Sequence, residues 1–329
     1  MKITTLLKII LVFGLLYYLK QKGILSVADT ARALEHWRLL AIGGGLLTVS
    51  LFLGIFRWQL LLFSQGVRLP MTKTLQLSLI GNFFNVALPG AVSGDFIKAI
   101  YVSKEVKGKA AHAFSSILFD RVAGVSALVM ISAVAMVLSR GASWSGKLVD
   151  SLEFFVVLAG VGVITFYSYF FILKDHHDPV LHLLALFGRK YPRTASLKRS
   201  WEGLRIYRRH RVTVFWVLLI SVIIHAMVIS AAFFFAQALG ETMLVFRSLF
   251  VVVPLGLLVT AVPVTPAGVG TGHGAFGYLF GLLGSSVGAN VFSFVLLSNI
   301  VFAAAGGLVY LRYKKEPGHE LPVGGTSVA

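Results

Sequence analysis

Asn82-Phe83-Phe84-Asn85-Val86-Ala87-Leu88-Pro89-Gly90-Ala91-Val92-Ser93-Gly94-Asp95-Phe96-Ile97-Lys98 is the stretch whose reading decides the fold. An apolar segment arrives, breaks at Pro89-Gly90, passes through small residues and restarts behind Gly94-Asp95, with a lysine one helical turn later. Proline removes a backbone donor and glycine admits unusual dihedrals, so the break frees N–H and C=O groups that lipid does not satisfy. Non-helical backbone at membrane depth is tolerated only where protein buries it or where it lines a watery cavity. The stretch therefore reads as a re-entrant or discontinuous helix beside a cavity.

A second copy lies far downstream, in Ala261-Val262-Pro263-Val264-Thr265-Pro266-Ala267-Gly268-Val269-Gly270-Thr271-Gly272-His273-Gly274, again with apolar runs on both sides. Pro89-Gly90-Ala91-Val92 lies over Pro266-Ala267-Gly268-Val269, and Gly94-Asp95 has its counterpart in Gly272-His273. Paired Gly/Pro-interrupted segments in the two halves of a membrane protein point to a transporter's binding site. The plainer alternative is two ordinary loops, because Gly and Pro are common in and around membrane helices.

Apolar residues make up 57% of the 329 and charged residues only 13%, which is the composition of an all-α polytopic integral membrane protein. With no cysteine, disulfides, thiolate metal sites and thiol nucleophiles are excluded. A net charge of +17 would suggest nucleic acid in a soluble chain. Here the positive-inside rule and an anionic membrane surface account for it, and no nucleic-acid partner is expected.

Six full spans are expected: Ile3 to Leu19, Leu39 to Phe63, Ala111 to Leu138, Leu148 to Leu173, Val212 to Leu239 and Asn290 to Tyr310. The first is a retained helix rather than a signal peptide, because Lys20 and Lys22 separate its apolar run from Ser26-Val27-Ala28. Thr30 to Arg38 reads as a polar linker. With the two re-entrant elements the chain has about eight hydrophobic segments, pseudo-repeated in a way that admits inverted topology. Residues 1–315 form one membrane unit and 316–329 a tail expected to be disordered. Gly160 and Gly162 offer close helix approach.

Segment 174–211 carries a net charge of +7. Leu197, Trp201 and Leu204 recur in it at helical spacing, which suits either an interfacial helix on an anionic leaflet or a solvated loop. If the broken elements enter from opposite faces, nineteen Lys/Arg fall in the loops on one side and seven on the other, which puts both termini in the cytoplasm.

Each restarting helix, at Asp95 and near His273, presents unpaired N–H groups and a positive dipole end, an anion site made of backbone. Lys98 and Arg121 add fixed positive charge, while Asp95 caps its helix, balances those cations or takes a proton. Asp120 and Arg121 are adjacent and point about 100° apart on a helix, so each needs a partner elsewhere. They are either functional charges or a clasp between helices. Arg57, about two turns from the end of its span, either snorkels to the interface or takes part in function. His225 suits a hydrogen bond between helices. His176-His177-Asp178 lacks metal-ligand spacing, and neither a nucleophile set nor a P-loop is present, so no catalytic residue, metal or cofactor is expected.

These segments also carry a resemblance. Leu88-Pro89-Gly90 with Gly94-Asp95 and Lys98, the pair Asp120-Arg121, and Pro263-Val264-Thr265-Pro266-Ala267-Gly268-Val269-Gly270 resemble the signatures of the lysylphosphatidylglycerol synthase transmembrane family. That family includes the flippase half of the multiple peptide resistance factor. Two departures stand out: His273 occupies a place often held by an acidic residue, and Lys98 one often held by arginine. Full-length members add a soluble aminoacyl-transferase domain, for which Glu316 to Ala329 leaves no room.

The resemblance implies no enzyme activity but translocation of a phospholipid or polyprenyl-phosphate-linked lipid between leaflets of the bacterial cytoplasmic (inner) membrane. Asn85, Pro89, Gly90, Gly94, Asp95, Lys98, Asp120, Arg121, Pro266, Gly268, Gly270, Gly272 and His273 are expected to border the head group. The alternatives are an accessory subunit that positions a glycosyl- or aminoacyl-transferase through 174–211, and an enzyme acting on a lipid phosphate.

Overall fold

Lipid supplies no hydrogen bonds, so apolar segments of this length satisfy their backbone by coiling into helices. The computed structural model describes residues 21, 27–88, 93–106, 109–138, 147–173, 178–190, 194–262 and 266–313. Twelve α-helices and no strand occur among them. They are α1 (Val27–Glu35), α2 (Trp37–Ser64), α3 (Met71–Ala87), α4 (Ser93–Glu105), α5 (Ala110–Leu138), α6 (Lys147–Ile172), α7 (Pro179–Lys190), α8 (Thr194–Arg205), α9 (Arg211–Ala238), α10 (Phe246–Ala261), α11 (Thr271–Gly281) and α12 (Gly288–Tyr313). Five are long and apolar enough to cross a membrane: α2, α5, α6, α9 and α12. The helices flanking the two breaks are shorter, at 17 and 13 residues for α3 and α4 and 16 and 11 for α10 and α11. A crossing needs about 20.

Eight helices form two sets of four, α2–α5 and α9–α12, with lengths of 28, 17, 13 and 29 residues against 28, 16, 11 and 26. Their contacts match under exchange of the sets. The first helices, α2 and α9, run along each other; α3 packs on α12 as α10 packs on α5; within each set the two short helices lie side by side. Close approach uses the same device twice. A Cβ on Gly81 would touch Lys98 at 3.3 Å, and one on Gly256 would strike the Phe276 ring at 2.5 Å.

An apolar core of α9–α12, with Phe235, Phe276, Phe280 and Phe292, holds the second set together. A more aromatic one, with Trp58, Phe83, Phe84, Tyr101, Tyr310 and Tyr313, joins α2, α3 and α4 to α12.

Two expectations are corrected. Residues 30–38 are not a linker: α1 covers most of them, buries Ala33 completely, and its Asp29 accepts a 2.8 Å hydrogen bond from Asn290. Polar residues on the outer face mask that short amphipathic pattern. Gly160 and Gly162 bring no helix close, since a Cβ on either meets nothing within 4 Å. In segment 174–211, Leu197, Trp201 and Leu204 fall within α8, with α7 before it and a 3-10 turn, Ile206–Arg209, after it.

Asp178, fully buried, anchors that segment. It caps α7 through the Val180 and Leu181 N–H groups (2.9 and 3.2 Å), behind Pro179 at the first helical position, and accepts from Tyr169 (2.6 Å) and Trp201 (3.0 Å). Arg205 lies 3.4 Å from it and donates to the carbonyls of Phe170 and Leu173 at the end of α6. Burial pushes the Asp178 carboxyl up, but these donors and Arg205 outweigh it and hold its pKa below the usual value. The expected first span, Ile3 to Leu19, and the tail 316–329 lie outside the described residues.

Candidate functional site

Charges that are costly in lipid meet where α2, α4 and α5 come together. Arg57 of α2 grips Asp120 of α5 with two parallel bonds, Nε to Oδ1 at 2.8 Å and Nη2 to Oδ2 at 3.0 Å, and gives Nη1 to Ser221 of α9 at 2.8 Å. The next residue, Arg121, leaves α5 in another direction and places Nε 2.6 Å from Asp95 Oδ2, on the first turn of α4. One turn along α4, Lys98 sets its ammonium over the Trp58 ring, 3.3 Å from the centroid. Trp58 follows Arg57 and donates to Ser116 of α5 at 3.0 Å. The ring thus closes: Arg57, Asp120, Arg121, Asp95, Lys98, Trp58.

Three cations face two carboxylates in it, a net charge of +1. Lys98 is the cation without a carboxylate at ion-pair distance among the described residues. The two pairs differ at the arginine. Arg57 is 11% exposed and Arg121 53%, while both carboxylates are largely enclosed, Asp120 at 18% and Asp95 at 13%; the terminal amino groups of Arg121 have no hydrogen-bond partner among the described residues.

The glycine after the first break is fixed by packing. The Gly94 N–H donates to Asn85 Oδ1 at 2.9 Å, and a Cβ there would lie 1.9 Å from the Gly81 carbonyl oxygen. On α3, Gln76 Oε1, Ser78 Oγ and Asn82 Nδ2 are buried without a hydrogen-bond partner among the described residues. Ser78, Asn82 and Asn85 recur at i, i+4 and i+7, one face of the helix.

The second break turns through left-handed backbone at Ala267 (φ 50°), Gly268 (φ 73°) and Gly270 (φ 85°). A non-glycine residue at such a φ carries strain, which is tolerated where the surroundings hold it. This 3-10 turn, Pro266–Gly268, packs on α3, the helix that leads into the first break. His273 is buried in packing. Its Nδ1 accepts from the Gly270 N–H (3.3 Å), so Nε2 carries the proton toward Ser293 Oγ (3.2 Å). Gly272 is closed against the Phe292 ring, 2.2 Å from where a Cβ would sit.

The family described as Lysylphosphatidylglycerol synthase TM region matches residues 5–309. The chain belongs to this family. No match was found among curated proteins or solved structures. As a member, and with five apolar helices of crossing length, the chain is an integral membrane protein.

Of the expected head-group residues, the fold brings Asp95, Lys98, Asp120 and Arg121 into one ring, with Asn85 and Gly94 beside it. Gly268, Gly270, Gly272 and His273 belong to the second break and its packing on α3 and α12. Pro89 and Gly90 lie outside the described residues, and Pro266 is placed by its backbone alone. Sequence reasoning left Trp58 unnoticed and Arg57 undecided. The signal for both was Arg57-Trp58 inside an otherwise apolar span. His225 is the helix-packing hydrogen bonder expected: Nε2 is 3.1 Å from the Gly124 carbonyl. Among the described residues no cluster of His, Asp and Glu has the makings of a metal site.

Proposed function

We propose that the chain carries the head group of an anionic or polyprenyl-phosphate lipid past the charge ring, from one leaflet to the other, while the tails stay in hydrocarbon. The observation behind this reading is the ring's net charge of +1, with Lys98 set against an aromatic face and, among the described residues, at ion-pair distance from no carboxylate. A phosphate there restores neutrality and gains charged hydrogen bonds from Lys98 and the free fork of Arg121. Catalysis has no part in this reading.

The two short pairs, α3/α4 and α10/α11, are read as re-entrant elements of inverted repeats, because none has crossing length and their contacts exchange with each other. The sets are electrically unequal: Asp95 corresponds to His273 and Lys98 to Phe276, so fixed charge sits in the first set. The excess of Lys/Arg in the loops of one side supports the bacterial cytoplasmic membrane as the location, with both termini inside.

Proteoliposomes holding the purified protein test the reading with head-group-labelled anionic lipids. Leaflet exchange faster than in protein-free vesicles is expected; no gain with any anionic lipid would overturn it.

A further inference from the structure

The ring accounts for a head group and leaves the tail without a place. Arg121 also lines a cavity of about 410 Å³ on the side of α5 that faces α6, with Val122, Val125, Ser126, Val129, Ala159 and Val163 among its walls. A second cavity of about 470 Å³ shares Val129 and Ala159 with the first and continues between α6 and the α10/α11 pair, as far as Val262 and Tyr278. Both volumes are in the range of ligand pockets. Apart from Arg121 at one end, no charged side chain among the described residues lines either.

Sequence explains why the space exists. Opposite α5, helix α6 carries Ala159 and Gly162, and a Cβ on Gly162 would meet nothing within 4 Å. α6 lies outside the two sets of four, and its far end is pinned by Asp178 and Arg205 to α7 and α8, so it stands beside α5 without filling the gap. From Arg121 to Val129 the rise is about 12 Å. One leaflet contributes roughly 15 Å of a ~30 Å hydrocarbon core.

We infer that the α5/α6 groove, with its continuation to α10 and α11, is a binding site for one acyl or prenyl chain of an anionic lipid whose phosphate rests on Arg121. The inference rests on reading the ring as a head-group station and adds the route of the chain. Charge complementarity selects the occupant: among the described residues the single ionic group lining the two apolar cavities is a guanidinium whose two amino groups are unengaged. A zwitterionic lipid gains less there, because its own cation competes for the phosphate.

Photolabelling tests this with the full-length protein in nanodiscs. Phosphatidylglycerol and phosphatidylcholine carry the same mid-chain diazirine, and adducts are mapped by peptide mass spectrometry. Phosphatidylglycerol is expected to label 122–129 and 159–166 selectively. Arg121→Gln should lower that labelling about tenfold, the scale of one lost charged hydrogen bond. Gly162→Leu should abolish it by filling the groove. Gly160→Leu, at an equally open position that lines neither cavity, should leave it unchanged. Equal labelling by the two lipids, or equal effects of the two leucines, would overturn the inference. Labelling needs no translocation: a labelled groove with no leaflet exchange counts against the transport reading alone, and exchange with an unlabelled groove against this site alone.

Discussion

Two neighbouring residues on α5 make two ion pairs of different character. Arg57–Asp120 is largely enclosed and bidentate, and removing one member leaves an uncompensated charge among apolar helices. Arg57→Gln is expected to lower stability by roughly 3–5 kcal/mol, read as a fall in apparent Tm in detergent. Arg121 is half exposed, and Lys98, one turn from Asp95 on α4, stays near that enclosed carboxylate, so Arg121→Gln should lower Tm less than Arg57→Gln while slowing exchange of anionic lipid. Arg121→Lys should fall between, keeping a point charge but losing the fork. A Tm loss in Arg121→Gln as large as that in Arg57→Gln would make both pairs clasps. That Asp120 and Arg121 need outside partners was legible from their angular separation on one helix. The identity of Arg57 was not, because an arginine two turns from a helix end suits snorkelling equally well, and only the placement of α2 against α5 decides between them.

Two kinds of glycine separate at the scale of elements. Gly94 sits where α3 and α4 touch backbone to backbone, so Gly94→Ala should destabilise by at least about 1–3 kcal/mol through overpacking. Gly160 faces open space in a helix, so Gly160→Ala should stabilise by up to about 1 kcal/mol through helix propensity. Opposite signs in apparent Tm check both. The spacing of Leu197, Trp201 and Leu204 disclosed the α8 helix, but its docking on α6 depends on Asp178 and Arg205, which are far apart in sequence. The depressed pKa of Asp178 also sets a pH dependence. A carboxyl lowered on folding stabilises above its unfolded value near 4, and that contribution is lost as pH falls through the lower folded value. Proteolysis of 174–211 should therefore stay slow at neutral pH and quicken in strong acid, and Asp178→Asn should quicken it at pH 7.

For the whole molecule, the limits of five of the six expected spans and the two breaks were readable because uninterrupted apolar runs and Pro/Gly interruptions are local signals. The exchange of contacts between α2–α5 and α9–α12 was hinted at only by the paired motifs, since charge resides in one set and the equivalent residues of the other are apolar or neutral. Orientation is checked with single cysteines in a chain that has none of its own. Met243→Cys should react with an impermeant maleimide on intact cells, and Arg209→Cys only after the membrane is opened. The central claim, that the ring is a station for an anionic head group, is tested most directly at Lys98. The measurement is leaflet exchange of head-group-labelled phosphatidylglycerol and phosphatidylcholine in proteoliposomes holding wild type or folded Lys98→Gln protein. The account predicts that wild type prefers the anionic lipid and that Lys98→Gln lowers its exchange about tenfold or more, to the rate of the zwitterionic one. Unchanged exchange and unchanged preference in folded Lys98→Gln protein would contradict it.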